Sequence, residues 1–454
     1  MRRTIVLLAT MALTVLVASG VALALTKIGS AGAQSSGVGP GESIQKAVNA
    51  AHPGDTIVVK GVHREDVVIR KDGIKLRGVG NAVIEAPTTA KADSPCSRAS
   101  GSTAICVLGE FNPETGEVNK RVSDVSVSGF TVRGFKAVGI DVVAARDATV
   151  RKIRAVGNKN GIGTGLSVGT KFLHNVVRDS GEDAIGLEES RDVTIAGNDV
   201  EGSSNSGIFI LKGTNATVAG NDLTDNNFGM LLIDSTGTKI LSNDITDSTL
   251  SGTLILGSTG TKILSNDISR SGEAGIAIFG PERASNVGKV VGNRISGGAW
   301  GILLQLAHGG TFAGNTIRNN CAGMMIESFG FDEPVVGLEV KGNTVENNTR
   351  SCRAAQLDRN FSGIGIALFS TKDMEVTGNH LSGNIPSGPT PVSGGVVVAD
   401  NPYDDSRGPK PTNNSVTANH FGRNKPDIFW DKSGSGNRFV ANLCDTSVPS
   451  SLCN

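Results

Sequence analysis

At residues 235–245 the chain reads STGTKILSNDI, and at residues 258–268 it reads STGTKILSNDI again, 23 residues further on. The frame inside these copies runs through most of the sequence. An Asn is followed two positions later by Val, Ile or Leu, and then by a strand of the type G-I-x-I. It appears as LHNVV at Asn175, AGNDV at Asn198, AGNDL at Asn221, and LSNDI at Asn243 and Asn266. It continues as VGNRI at Asn293, AGNTI at Asn315, KGNTV at Asn343, TGNHL at Asn379, TANHF at Asn419 and VANLC at Asn442. Phe130 and Ile153 take the same place in two earlier copies. Where nothing is inserted the step is 22 or 23 residues.

A period of that length, made of short β runs and Gly/Asn corners, is one turn of a parallel solenoid. One turn is too small to bury its own apolar face. Stacking sets equivalent positions about 4.8 Å apart and makes the core continuous. The Asn column then has a physical cause: an inward amide at each corner hydrogen-bonds the turns above and below. Replacing one leaves buried backbone groups unpaired, at about 1–3 kcal/mol. Composition agrees, since 60 Gly in 454 residues, with much Asn, Val and Ile, disfavours long helices. The expected class is all-β.

A stack of this kind needs a cover over its first open turn. PGESIQKAVNAAHPGDTIVV offers Ser43 as an N-cap, then a short helix with Ile44, Ala47, Val48 and Ala51 on one side, then a Pro-Gly-Asp turn into a strand. Upstream, Arg2 and Arg3 precede an apolar run over residues 5–25 and the small residues Ala31-Gly32-Ala33, the pattern of an export signal cleaved after about Ala33. The run is long enough to span a bilayer, so an uncleaved anchor is the competing reading. After cleavage no membrane segment remains. The expected organisation is a signal over 1–33 and one domain over 34–454, with a cap over 40–60, a loop insert over 86–121, coils over 122–442 and a disulfide-closed tail over 443–454. The mature chain carries 40 basic and 43 acidic residues, a net charge of −3. Nucleic acid, which needs a strongly basic face, is excluded as a partner.

The six cysteines, Cys96, Cys106, Cys321, Cys352, Cys444 and Cys453, form an even set in an exported chain and suggest disulfides. Sequence proximity favours 96–106 and 444–453, leaving 321–352. No C-x-x-C is present, which argues against zinc.

The Asn-ladder repeats, the PGESIQKAVNAAHPGDTIVV opening and the length resemble the secreted bacterial right-handed parallel β-helix proteins of the pectin-lyase-like superfamily, over residues 38–454. That superfamily includes pectin and pectate lyases, polygalacturonases, alginate epimerases and periplasmic accessory proteins of copper-enzyme maturation. The resemblance implies a right-handed parallel β-helix and a secreted protein that acts on or binds a polysaccharide. An acidic, uronate-containing polymer is the expected substrate class, with lyase, epimerase and glycosidase chemistry all open. A non-catalytic extracellular scaffold or adhesion protein is the alternative, because fold does not fix activity.

Inserts that break the period are the places for function: residues 86–121, 280–289, 328–337, 347–363, 383–393 and 401–414. Aligned strands put Glu189, Lys212 and Asp234 at one offset on three successive turns, with Glu182, Asp183 and Glu188 on the same turn as Glu189. Paired carboxylates beside a lysine suit acid–base work on an acidic sugar, so Asp183, Glu188, Glu189, Lys212 and Asp234 are the candidate catalytic residues. A cross-turn salt-bridge ladder is the plain alternative. GEDAIGL at 181–187 is similar to the polygalacturonase motif GDDCIAI, with Asp183 at the second acid. Ser206, however, stands where that family has His, and the Arg-Ile-Lys motif is missing. The Tyr-Gly-x-Asp-Pro-His of alginate epimerases is absent too. Asp199, Asp222, Asp244 and Asp267 form an outward column that offers Ca²⁺ an oxygen-rich strip, or else simply faces water. His380 and His420 share the position after the ladder Asn.

Finally, GMLLID, GTLILG, GIAIFG, GILLQL and GMMIES are apolar on both faces, with Phe209, Leu231, Leu254, Leu303 and Met325 outward and Leu211, Ile233, Leu256 and Phe279 close by. Such a stripe is normally covered. A loop of the same chain, such as the 86–121 insert, self-association or an apolar ligand would cover it.

Overall fold

The computed structural model describes residues 34–88, 101–280, 286–354, 359–404 and 408–453. The expected signal over 1–33 and Cys96 lie outside them. Among the described residues the chain winds into three long parallel sheets of 17, 14 and 15 strands. One turn shows how. Thr217–Ala219 adds to the first sheet, Asp222–Thr224 to the second and Phe228–Ile233 to the third. Gly220, Asp225 and Asp234, all at positive φ, make the corners between them.

The repeated stretch now divides by function within the turn. Ser235 leaves the third sheet. Its Oγ donates to Ile233 O at 2.9 Å and accepts from Gly213 N at 3.0 Å, and Ser258 Oγ receives Ser235 N–H at 2.9 Å on the next turn. Serine therefore forms a ladder of its own, which the sequence had assigned only to a turn. Ile240 points into the bore and is fully buried, while Leu241 is half-buried on the outside. Asn243 is the asparagine ladder. Its Oδ1 accepts from both N and Nδ2 of Asn221, and its Nδ2 donates to Val218 O at 3.1 Å and Asn266 Oδ1 at 2.9 Å. Nδ2-to-Oδ1 bonds link every neighbour from Asn175 to Asn442. A second ladder, Asn320–Asn348–Asn384–Asn424, ends on Asp427. Phe130 and Ile153 fill the ladder position with apolar burial instead.

The residue before each ladder Asn sits in the left-handed region. Gly occupies it at 197, 220, 292, 314, 342 and 378, but Ser242 and Ser265 hold φ of 51° and 56° there and are exposed. A Cβ in that region costs energy that the lost backbone freedom of Gly only partly offsets. Ser242→Gly and Ser265→Gly should each stabilise by about 0.5–1 kcal/mol in urea denaturation.

The N-terminal cover is the helix Ile44–Ala50, whose N-cap Ser43 accepts from Lys46 N at 3.2 Å and whose Ile44 and Val48 close the bore. The strand Ser35–Val38 precedes it and pairs with Thr56–Val59, so the first sheet starts before the cap. Cys321–Cys352 and Cys444–Cys453 are disulfides. Cys106 is also disulfide-bonded.

Loops bury one half of the apolar stripe. Its column runs Phe209–Leu231–Leu254–Ala277–Leu303–Met325–Ala367–Val397 in register across the third sheet. Over its C-terminal part Phe361 stacks on Trp300, with centroids 5.1 Å apart, and Tyr403 packs edge-on against Phe361 at 6.2 Å. Met325, Ala367 and Val397 are buried beneath this second core. The Cys321–Cys352 bridge ties the Cys352 side of the 347–363 insert to the turn beneath it. In the 101–121 insert, Phe111 and Val118 pack over Cys106, Leu108 and Val143 at the other end. Between the two covers Phe209, Leu254 and Phe279 stay half-buried.

Candidate active site

The N-terminal end of the third sheet carries a groove of about 420 Å³. Its floor comes from the strands Val138–Val143, Asn160–Gly165, Ile185–Glu188 and Ser206–Leu211. Outward side chains along them read Asp141, Gly163, Gly186, Phe209 in one column and Val143, Gly165, Glu188, Leu211 in the next. Three glycines thus replace the apolar stripe by an open floor. A Cβ built on Gly165 or Gly186 meets nothing within 4 Å. Phe111 from the insert stands at one end of this floor and Phe209 at the other.

Acids line the groove: Asp141, Glu182, Asp183, Glu188 and Glu189. Among the described residues that line it, none is basic. Asp141 is buried, and Val142 N–H donates to its Oδ1 at 3.0 Å. Burial, with the nearby Glu188 carboxylate adding to it, pushes the Asp141 carboxyl up to about 7. Asp183 accepts from Asn205 Nδ2 at 2.9 Å and Ser206 N at 3.1 Å. Burial still outweighs these bonds and raises its carboxyl. Glu182 pairs with Lys159 at 3.2 Å and Glu189 with Lys212 at 3.6 Å. The groove therefore holds one carboxyl poised between its protonated and ionised forms, with Glu188 diagonally across a glycine floor.

Of the five sequence candidates, Asp183, Glu188 and Glu189 line this groove. Lys212 reaches it only through Glu189, and Asp234 does not line it. The offset shared by Glu189, Lys212 and Asp234 is real: their N–H groups bond successive turns, and all three are corner residues at φ of 46–50°. A Cβ on Gly257, the next in the column, would lie 2.4 Å from Asp234 Oδ1, so the change from Asp to Gly there is steric. The sequence missed Asp141. Its strand, GIDVV, carries the same frame as GIFIL, with Asp141 where Phe209 stands.

Asp199, Asp222, Asp244 and Asp267 stack in register on the second sheet, and Arg294 follows them. Asp199 pairs with Arg178. Burial, then Asp222 and Asp267, raise the Asp244 carboxyl. Among the described residues no group of three or more His, Cys, Asp or Glu side chains is placed to hold a metal, this column included. A second buried acid, Glu327, accepts from Gln305 Nε2 at 3.0 Å and Asn401 Nδ2 at 2.9 Å, and so fastens the segment around Tyr403 to the sheet. Burial raises its carboxyl.

Residues 48–252 match the family model described as periplasmic copper-binding protein (NosD), and residues 228–402 match the model for a right-handed β-helix region. No curated protein matches the sequence. Among solved structures, the mannuronan C-5 epimerase AlgE4 A-module of Azotobacter vinelandii gives a TM-score of 0.51 at 13% identity, over 86% of this chain and 92% of that one. The catalytic unit of the α-1,3-glucanase of Streptomyces thermodiastaticus strain HF3-3 gives 0.39 at 16% identity, over 91% and 70%. Copper favours clustered His, Cys or Met donors. His380 and His420 pair on neighbouring strands, and among the described residues no group of three or more His, Cys, Asp or Glu side chains includes them. What the stacked sheets, the asparagine ladder and these matches share is one architecture: the chain folds as a right-handed parallel β-helix.

Proposed function

We propose that this protein hydrolyses a polysaccharide laid along the outer face of the third sheet, across the glycine floor. The observation that carries this reading is the pairing of Asp141, held near neutrality, with Glu188 across an open floor between two aromatic rings. Glycoside hydrolysis asks for two carboxyl groups in opposite states. Asp141 gives its proton to the leaving glycosidic oxygen as the C–O bond breaks. Glu188 takes a proton from the attacking water, whose oxygen bonds the sugar carbon. Phe111 and Phe209 offer apolar faces to sugar rings. The mannuronan epimerase that shares the fold has a polysaccharide substrate by name, which supports the substrate class. Lyase or epimerase chemistry at a uronate is less well served, because the described residues lining the groove include no base stronger than a carboxylate and no cation for the sugar's own charge. A uronate-containing polymer remains the proposed class, with its charge met outside the groove. The disulfides and the partial match to a periplasmic family support an exported protein.

The test is incubation of the full mature chain with neutral and acidic polysaccharides, following reducing ends and ultraviolet-absorbing unsaturated products. New reducing ends without unsaturation are expected. Unsaturated product overturns hydrolysis in favour of a lyase, and no change with any polymer favours the scaffold reading. Gly186→Val supplies the control. It fills the floor with a strand-compatible side chain where a Cβ has space, so folding should persist while turnover falls at least about a hundredfold.

A further inference from the structure

Beside the acidic groove lies a strip of the opposite sign. The corner that leaves the third sheet reads Ser123–Arg146–Val168–Arg191–Thr214 on successive turns. Arg146 and Arg191 are exposed and point outward, two turns and about 10 Å apart. Arg121, from the end of the 101–121 insert, reaches across the same corner. Its Nη1 donates to the carbonyls of Ala145 and Leu166, and Leu166 lines the groove. None of the three arginines makes an ion pair among the described residues, although Asp147 and Asp192 follow two of them in sequence. Burial, with Arg146 and Arg191 close by, pushes the Arg121 guanidinium below its ordinary range. On its far side Arg121 also lines a cleft of about 230 Å³ with Arg70, Lys71 and Lys120, opposite Asp72 and Glu110. Lys71 is spent on the carbonyls of Val48, Asn49 and Ala51, but among the described residues no ion pair is made by Arg70 or Lys120.

Guanidinium groups gathered at the edge of a groove without a direct ion-pair partner favour the binding of an anion. We propose that Arg121, Arg146 and Arg191 form an anion-binding rim that takes the carboxylates or sulfate esters of a polysaccharide whose backbone enters the adjacent groove. Guanidinium forks suit both anions. The spacing of Arg146 and Arg191 is on the scale of two extended sugar rings, so alternate units of a chain can be held. The division of labour follows from charge. Burial, with the Glu188 carboxylate adding to it, keeps the Asp141 carboxyl partly protonated, and the rim attracts the polymer that the acidic groove alone would repel. The identity of the carrier as a glycan rests on the reading of the groove given above; the anion site itself does not.

The experiment is calorimetric titration of the full mature chain with oligogalacturonate, a sulfated galactan oligomer and a neutral malto-oligomer of equal length, at low salt. At least one charged oligomer should bind and the neutral one should bind at least about tenfold more weakly, with affinity falling as salt rises. Arg146→Gln with Arg191→Gln, both exposed, should weaken binding by about tenfold or more. Arg121→Gln should do likewise, with its thermal melt checked because Arg121 holds two carbonyls. Lys239→Gln with Lys262→Gln, an exposed basic pair on the first sheet, should change nothing. Lowering the pH below the carboxylate range abolishes uronate binding and spares sulfate, which separates the two sources. Equal affinity in the native chain and the Arg146/Arg191 double variant, or no binding of either charged oligomer, overturns the rim. Asp141→Asn in the same titration separates the two proposals: the rim requires that it still bind. Rim binding without turnover of any polymer sinks only the hydrolase, and turnover without rim binding sinks only the rim.

Discussion

Asp141→Asn should abolish turnover and at the same time stabilise the protein above neutral pH. Loss of a positioned acid typically costs about 10²–10⁴-fold in rate. The stability change follows from linkage. The folded-state carboxyl is raised from 3.8 to about 7 by burial and by Glu188. A raised carboxyl favours the folded state fully below its unfolded value of 3.8 and loses that contribution as pH rises through 7. Above pH 7 the native chain therefore carries the cost of a buried charge, up to about 4 kcal/mol, which the amide does not. Urea denaturation at pH 5 and pH 8 measures it: the gain from Asp141→Asn should be larger at pH 8. For the native chain, the arm of the proposed hydrolysis rate profile that needs protonated Asp141 should fall with a midpoint near 7. A variant that is inactive yet no more stable at pH 8 than the native chain would remove Asp141 from its role.

Asn243→Ala should be among the most destabilising single changes in the repeat. It strips the side-chain acceptor from Asn221 N and one of two acceptors from Asn221 Nδ2, and takes the amide donor from Val218 O and one of two donors from Asn266 Oδ1, which keeps only the residue-243 N–H, all inside the wall. Several unpaired buried groups and a small void together cost about 3–5 kcal/mol. The adjacent Asp244→Asn is the contrast. It removes an exposed carboxylate flanked by Asp222 and Asp267, and should stay within about 0.5 kcal/mol of native. Denaturant unfolding followed by far-ultraviolet circular dichroism compares the two. Similar losses at 243 and 244 would mean that the ladder amides do not hold the turns together.

The difference between these neighbours is legible in STGTKILSNDI itself, because a strand alternates its side chains and a stacked turn repeats that alternation. The asparagine ladder, the Asp199–Asp267 column and the common offset of Glu189, Lys212 and Asp234 follow from the period alone, and the cap helix with Ile44 and Val48 from its Ser43 N-cap and helical spacing. The candidate site was legible only in part. Asp183, Glu188 and Glu189 fall on turns that carry the Asn frame and were found. Asp141 lies on the earlier turns, where Phe130 and Ile153 replace the ladder Asn and the frame fades. Even once aligned, its strand looks like any other.

The sequence by itself determined the repeat, because hydrogen bonding and burial act identically on every turn and leave a periodic record. Only the tertiary structure decided which turns are different. The inserts fold back to bury Met325, Ala367 and Val397 under Phe361 and Tyr403, while the three glycines leave the floor open between Asp141 and Glu188. Arg121 crosses two turns to join Arg146 and Arg191. Desolvation and long-range charge depend on which atoms of distant residues come close, and that proximity is not written in any period.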